Sequence, residues 1–242
     1  MPIPAATLVL FRDGPLGPEH LFVERATTMV FAAGAVVFPG GRVDPGDYEL
    51  ATRYPHLDPV DAAARIAAVR ETIEEAGIAV GIEADVEVLR TALGEGAALG
   101  SVLDALGLPL DLDRLVPFAR WCPNFKETRT FDTHFYLAQV EADHAVARVD
   151  ATENTHLFWA TASQVLDRAA VGEVKIIFPT RRNLERLATL DSFDTARVHA
   201  AALPVETITP WVEERDGKQH LCIPDGLGYP VTSETFDQAM RG

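Results

Sequence analysis

With 242 residues, 48% of them hydrophobic and 24% charged, the chain has enough apolar material for one large packed domain, and this balance excludes a disordered or fibrous protein. Thirty-six acidic residues against 21 basic ones give a formal net charge of −15, so there is no overall basic footprint to hold a nucleic-acid polymer. A small polyanionic substrate meets the same repulsion unless cations are supplied locally, as bound metal ions would do.

No apolar run approaches the roughly twenty residues that span a bilayer, and the opening Met1-Pro2-Ile3-Pro4 lacks the basic stretch of an export signal. Cys122 and Cys222 are too few for a disulfide framework and too far apart for a zinc cluster. Packed thiols in a reducing, cytoplasmic compartment, with no membrane partner, are the expectation.

In chain order, residues 6–11 and 19–25 read as short buried strands joined by a Gly/Pro-rich connection, and 34–38 is a third apolar stretch that stops at Pro39-Gly40-Gly41. From Asp58 the pattern turns helical. Asp58 suits the N-cap, Pro59 the first turn and Gly77 the end, while Ala62, Ile66, Val69 and Ile73 recur every three or four residues, predicting a helix over 59–76. Residues 84–107 carry leucines in a helical pattern interrupted by Gly94, Gly96 and Gly100, a helical insertion. Strands are expected at 115–121, 130–140 and 156–159, and helices at 162–170 and 179–190. A hairpin is expected at 208–223, turning on Asp216-Gly217. Mixed in this order, the elements predict an α+β layered fold.

The chemistry concentrates in Arg70-Glu71-Thr72-Ile73-Glu74-Glu75-Ala76-Gly77-Ile78. On a helix Glu71 lies three and four positions before Glu74 and Glu75, so three carboxylates share a face and repel one another until a hard divalent cation takes their oxygens. A solvated acidic face is the plain alternative.

Joined with Gly41-Arg42-Val43-Asp44-Pro45-Gly46-Asp47, the segment resembles the Nudix box: Gly, five residues, Glu, seven residues, Arg-Glu-U-x-Glu-Glu-x-Gly-U, with U bulky and apolar. Asp47 stands in the first Glu position and Thr72 at a U position. Twenty-two residues separate Asp47 from Arg70, an insertion of fifteen, placed at 48–62 and expected to loop outward. An enlarged box is similar to one branch of the Nudix hydrolases, the one that includes the peroxisomal coenzyme A diphosphatase and its bacterial relatives. Residues 25–31, 37–41, 120–123, 129–133 and 179–184 look like that branch too.

The resemblance covers roughly residues 5–190 and implies a Nudix-type α/β/α sandwich with a mixed sheet and box parts at 41–47 and 70–78; the chain is read as that single domain over 1–242, with a C-terminal hairpin extension over about 191–242. It also implies hydrolysis of a phosphoanhydride in a nucleoside-diphosphate-linked small molecule, using Mg²⁺ or Mn²⁺. Glu74 and Glu75 match the metal ligands, the Gly41 carbonyl a further ligand, and Glu71 either the general base or another ligand. Arg70 is read as an orienter that pairs with a carboxylate near the loop, since a guanidinium keeps its proton. Arg25, Arg42, Lys126 and Arg129 are the candidates for substrate phosphates, and Glu153 is weighed as a late metal ligand against a simple exposed acid. Trp121 reads as core before base-stacker, and His134, His144 and His156 as structural. The branch points to coenzyme A or an acyl derivative. ADP-ribose, a nucleotide sugar, a dinucleotide and a non-catalytic nucleotide-binding module stay open, as does a homodimer, because the box positions a diphosphate and says little of what hangs from it.

Overall fold

The computed structural model describes residues 1–26, 33–123, 130–140 and 154–239. Strand β1 (Ile3–Gly14) is its spine. Leu8 and Leu10 point into one core and Val9 and Phe11 into the other, which is why the sequence there is apolar without alternation. Parallel pairing with β6 (Phe131–Gln139) runs from Ile3 to Phe11, so β1 starts earlier than its apolar run. At its far end β1 turns into β2 (Gly17–Arg25), which pairs with β3 (Val36–Val37) and β7 (Asn154–Thr161). At its near end it pairs with β4 (Gly40–Arg42), so the Pro-Gly-Gly step is strand as well as loop. Strands β5 (Val116–Trp121) and β8 (Thr207–Ile208) complete an eight-stranded mixed sheet.

One face is covered by α1 (Pro45–Ala51), α2 (Pro59–Ala76), α3 (Val86–Gly94) and α4 (Leu99–Leu106), the other by α5 (Ala162–Ala170), α6 (Phe178–Leu187) and α7 (Phe193–Ala201). This is the expected α+β sandwich. In α2, Asp58 accepts from Val60 N and Asp61 N at 3.0 and 3.1 Å, and Gly77 closes the helix at φ 65°. Its alanines are buried on the outer side too, because α1 and α3 lie over them.

The insertion corrects the expectation of an outward loop. Pro45 at the first helical position and an Asp44/Asp47 capping box start α1 in the first box part, the helix runs on into the insertion as far as Ala51, and Leu50 and Ala51 are buried in the core beside α2. Residues 84–107 hold two helices, α3 and α4, whose Leu89, Leu93, Leu99, Val102 and Leu103 join the same core. The C-terminal hairpin, β9 (Trp211–Arg215) and β10 (Lys218–Cys222), turns on Asp216 (φ 51°) and Gly217 (φ 72°) and gains a third strand, β11 (Ser233–Thr235), before the short α8 (Phe236–Ala239). Among the described residues no helix is long and apolar enough to cross a membrane.

Candidate active site

The last two turns of α2 lie against the β3–β4 step. Across the β1–β4 ladder, Val43 N–H donates to Pro4 O and Leu8 N–H to Pro39 O, each at 3.0 Å. Alternation makes Ala6–Gly41 the hydrogen-bonded pair between them and leaves Gly40 turned outward. The Gly40 N–H accordingly donates to Glu75 Oε2 at 2.9 Å. The Gly41 carbonyl faces Ala6 in the ladder, which leaves it one lone pair for any further ligand. Neither glycine has room for a side chain: a Cβ on Gly40 would strike the Ala6 and Thr7 backbone, and one on Gly41 would overlap the Glu71 carboxylate.

Arg70 binds this cluster together. Its Nε and Nη2 donate to the two oxygens of Asp47 at 3.1 and 3.0 Å, and Nη2 donates also to Arg42 O at 2.8 Å. Nη1 donates to Glu71 Oε1 at 2.9 Å and Glu74 Oε2 at 3.2 Å, and Asp44 stands 3.6 Å from Nη2. Four carboxylates thus share one guanidinium; burial opposes its charge, and Asp47, Glu71 and Glu74 more than offset that and hold it above the usual arginine range. Burial, then the neighbouring charges of Glu75 and Glu74, drive Glu71 up to about 8 against the pull of Arg70. Burial also raises Glu74.

Among the described residues no group of three or more His, Cys, Asp or Glu side chains is closed into a metal cage. The donor chemistry nevertheless suits a hard divalent cation, with oxygen atoms throughout, an excess of negative charge, and Glu71 seated directly over Gly41. Thr72, the departure at an apolar box position, is fully buried and satisfies its hydroxyl by donating to Ala68 O at 2.7 Å.

Of the sequence candidates, the structure gathers Arg70, Glu71, Glu74, Glu75 and Gly41. Arg42 gives its carbonyl to Arg70 and leaves its side chain in solvent. Arg25 ends β2 at the edge strand β3. Lys126, Arg129, Glu153 and His144 lie outside the described residues. Trp121 is core: it is buried and donates from Nε1 to Tyr229 Oη at 3.1 Å. His134 stacks beside Tyr136 and burial lowers its pKa, while His156 is exposed against Phe158. Asp47 as the anchor of Arg70, and Asp44 beside it, were not read as site residues. The signal for both was the Asp44-Pro45-Gly46-Asp47 helix start.

No family model matches the chain. A NUDIX hydrolase from Alicyclobacillus acidocaldarius, known from its crystal structure, is 32% identical, covers 82% of this chain and 96% of its own, and superposes with a TM-score of 0.73. Putative nudix hydrolase 7 of Caenorhabditis elegans is 26% identical over 182 residues, 72% of this chain and 57% of its own length. Acyl-coenzyme A diphosphatase NUDT19 of Gallus gallus is 24% identical over 261 aligned positions, 82% of this chain and 69% of its own length. The chain therefore spans little more than half of the worm relative.

Proposed function

The chain belongs to the Nudix hydrolase family, and from that membership we propose that it hydrolyses the diphosphate of coenzyme A or an acyl derivative, releasing 3′,5′-phosphorylated adenosine and a 4′-phosphopantetheine product. The observation that carries the hydrolytic part is the gathering of Glu71 and Glu75 on the Gly40-Gly41 step, with Glu71 and Glu74 held by Arg70. The substrate part is supported by the name of the chicken relative and by the enlarged box.

Glu74, Glu75 and Glu71 would hold Mg²⁺ or Mn²⁺. Such an ion would neutralise phosphate oxygens and make a bound water easier to deprotonate. Arg70, gripped by Asp47, fixes the spacing of Glu71 and Glu74 and stays charged throughout. Glu71 takes a hydrogen bond from Arg70 on Oε1, which leaves Oε2 to accept the proton of the attacking water. Glu75, held by the Gly40 N–H, keeps the strand step and the helix in register.

The test is hydrolysis of a panel of coenzyme A, acetyl-coenzyme A, ADP-ribose, nucleotide sugars and dinucleotides, with Mg²⁺, Mn²⁺ or chelator. Metal-dependent cleavage with the highest kcat/KM on the coenzyme A compounds is the expected result. Preference for ADP-ribose removes the substrate reading and keeps the hydrolase. Glu74→Gln and Glu75→Gln should each lower turnover by about 100-fold, since a carboxamide keeps the shape and loses the ligand charge. Undiminished turnover in both variants would overturn the metal role.

A further inference from the structure

Arg25, Ala35 and Lys175 lie side by side although 150 residues separate the first from the last. Arg25 N–H donates to Ala35 O at 3.0 Å, Val36 N–H donates to Lys175 O at 2.7 Å, and Ala35 and Lys175 form a parallel bridge. Residues paired across strands send their side chains to the same face.

That face is fixed by the neighbours. Val36 and Ile176 are buried in the core under α5–α7, so Ala35 and Lys175 point the opposite way. On β2, Phe22 belongs to that core as well, which turns Leu21, Val23 and Arg25 to the other side; Leu21 and Leu157, the partner of Val23, pack with the core of α2. The two cations therefore share the face of the sheet that carries the acidic helix.

Their Cα atoms are two strand spacings apart, about 10 Å, and the residue between them has only a methyl group. The Nε of Arg25 is buried and, among the described residues, has no hydrogen-bond partner. Glu173, the acid nearest Lys175 along the chain, is turned to Arg168 at 3.5 Å. From Ala35 the chain runs through β3 to Gly40 in five residue steps, a span of at most about 17 Å that a coenzyme-sized substrate bridges.

We propose that Arg25 and Lys175 form a second anion subsite, which takes a phosphate monoester carried on the nucleoside half of the substrate in addition to the diphosphate. Lys175 is its specificity-determining residue. The subsite rests on the diphosphatase reading above and names the group that reading leaves unrecognised.

The experiment compares two substrates that differ only in that group, coenzyme A and its 3′-dephospho form, by kcat/KM. In parallel, calorimetry compares adenosine 3′,5′-bisphosphate with adenosine 5′-monophosphate as ligands. The unaltered protein should prefer the member with the extra phosphate by roughly 10- to 100-fold in both assays, as a charge-assisted contact supplies. Lys175→Gln should bring both ratios below about 3-fold, and Lys175→Arg should restore most of them. Equal treatment of the two members by the unaltered protein, or a full preference retained in Lys175→Gln, overturns the subsite. If no diphosphate is cleaved, the diphosphatase reading falls, and the calorimetric ratio still decides whether the subsite exists.

Discussion

At the scale of residues, the site depends on one contact between positions far apart in sequence, Arg70 with both oxygens of Asp47. Asp47→Asn keeps the size and removes half of that grip, so Arg70 is free to drift and its hold on Glu71 and Glu74 loosens. Turnover should fall by roughly 10- to 100-fold, as for partners that orient ligands from behind, with an unchanged circular dichroism spectrum. Full activity in Asp47→Asn would show that Glu71 and Glu74 keep their places without it. Glu71, Glu74 and Glu75 were legible in the sequence because helix periodicity alone puts them on one face. That Arg70 pairs with a carboxylate near the loop was legible too; that the carboxylate is Asp47 was not, since a 23-residue separation has no periodicity and its geometry is set by how α1 packs.

At the scale of elements, the insertion carries the main surprise. Its polar start reads as a loop, and only Leu50 and Ala51 reveal a helix with an inward face, too few positions for a periodicity argument. Leu50 is 3% exposed and rests against Gly100 of α4. Leu50→Ala should cost about 2–5 kcal/mol in urea denaturation. It should also reduce turnover, since α1 carries Asp47 in its first turn. A cost below about 1 kcal/mol would mean that the helix is only loosely docked. The long helix over 59–76 was legible down to its caps, because Asp58, Pro59 and Gly77 each have a local mechanism. Helix α7 and strand β11 were not, because tertiary contacts with β5, β6 and β10 fix them more than their own patterns do.

At the scale of the whole molecule, acid stability should turn on His20. It is 1% exposed, packed edge-on to Phe11 at 4.4 Å, and donates from Nδ1 to Leu10 O at 3.0 Å; burial lowers its pKa from 6.5 to about 4. The neutral ring is what the fold accepts, so its contribution is fully present above pH 6.5 and is lost as the pH falls towards 4. The gap corresponds to about 3 kcal/mol, and His20→Gln should flatten the dependence of stability on pH across that window. An unchanged slope would assign the acid sensitivity to carboxylates instead. The crowding of four carboxylates on one guanidinium has a thermodynamic consequence of its own. If the cluster takes a divalent ion as proposed, a folded state that concentrates like charges should be held together less well in chelator than with the ion, which would have no comparable site on the unfolded chain. Ion at a hundred times its dissociation constant would add about 2.7 kcal/mol, so the melting temperature should climb with the logarithm of ion concentration. In chelator Glu74→Gln should melt higher than the unaltered protein, and its curve should respond less to added ion. The thermal midpoint would then gauge how many of these sites in a cell extract are loaded, without any substrate being turned over.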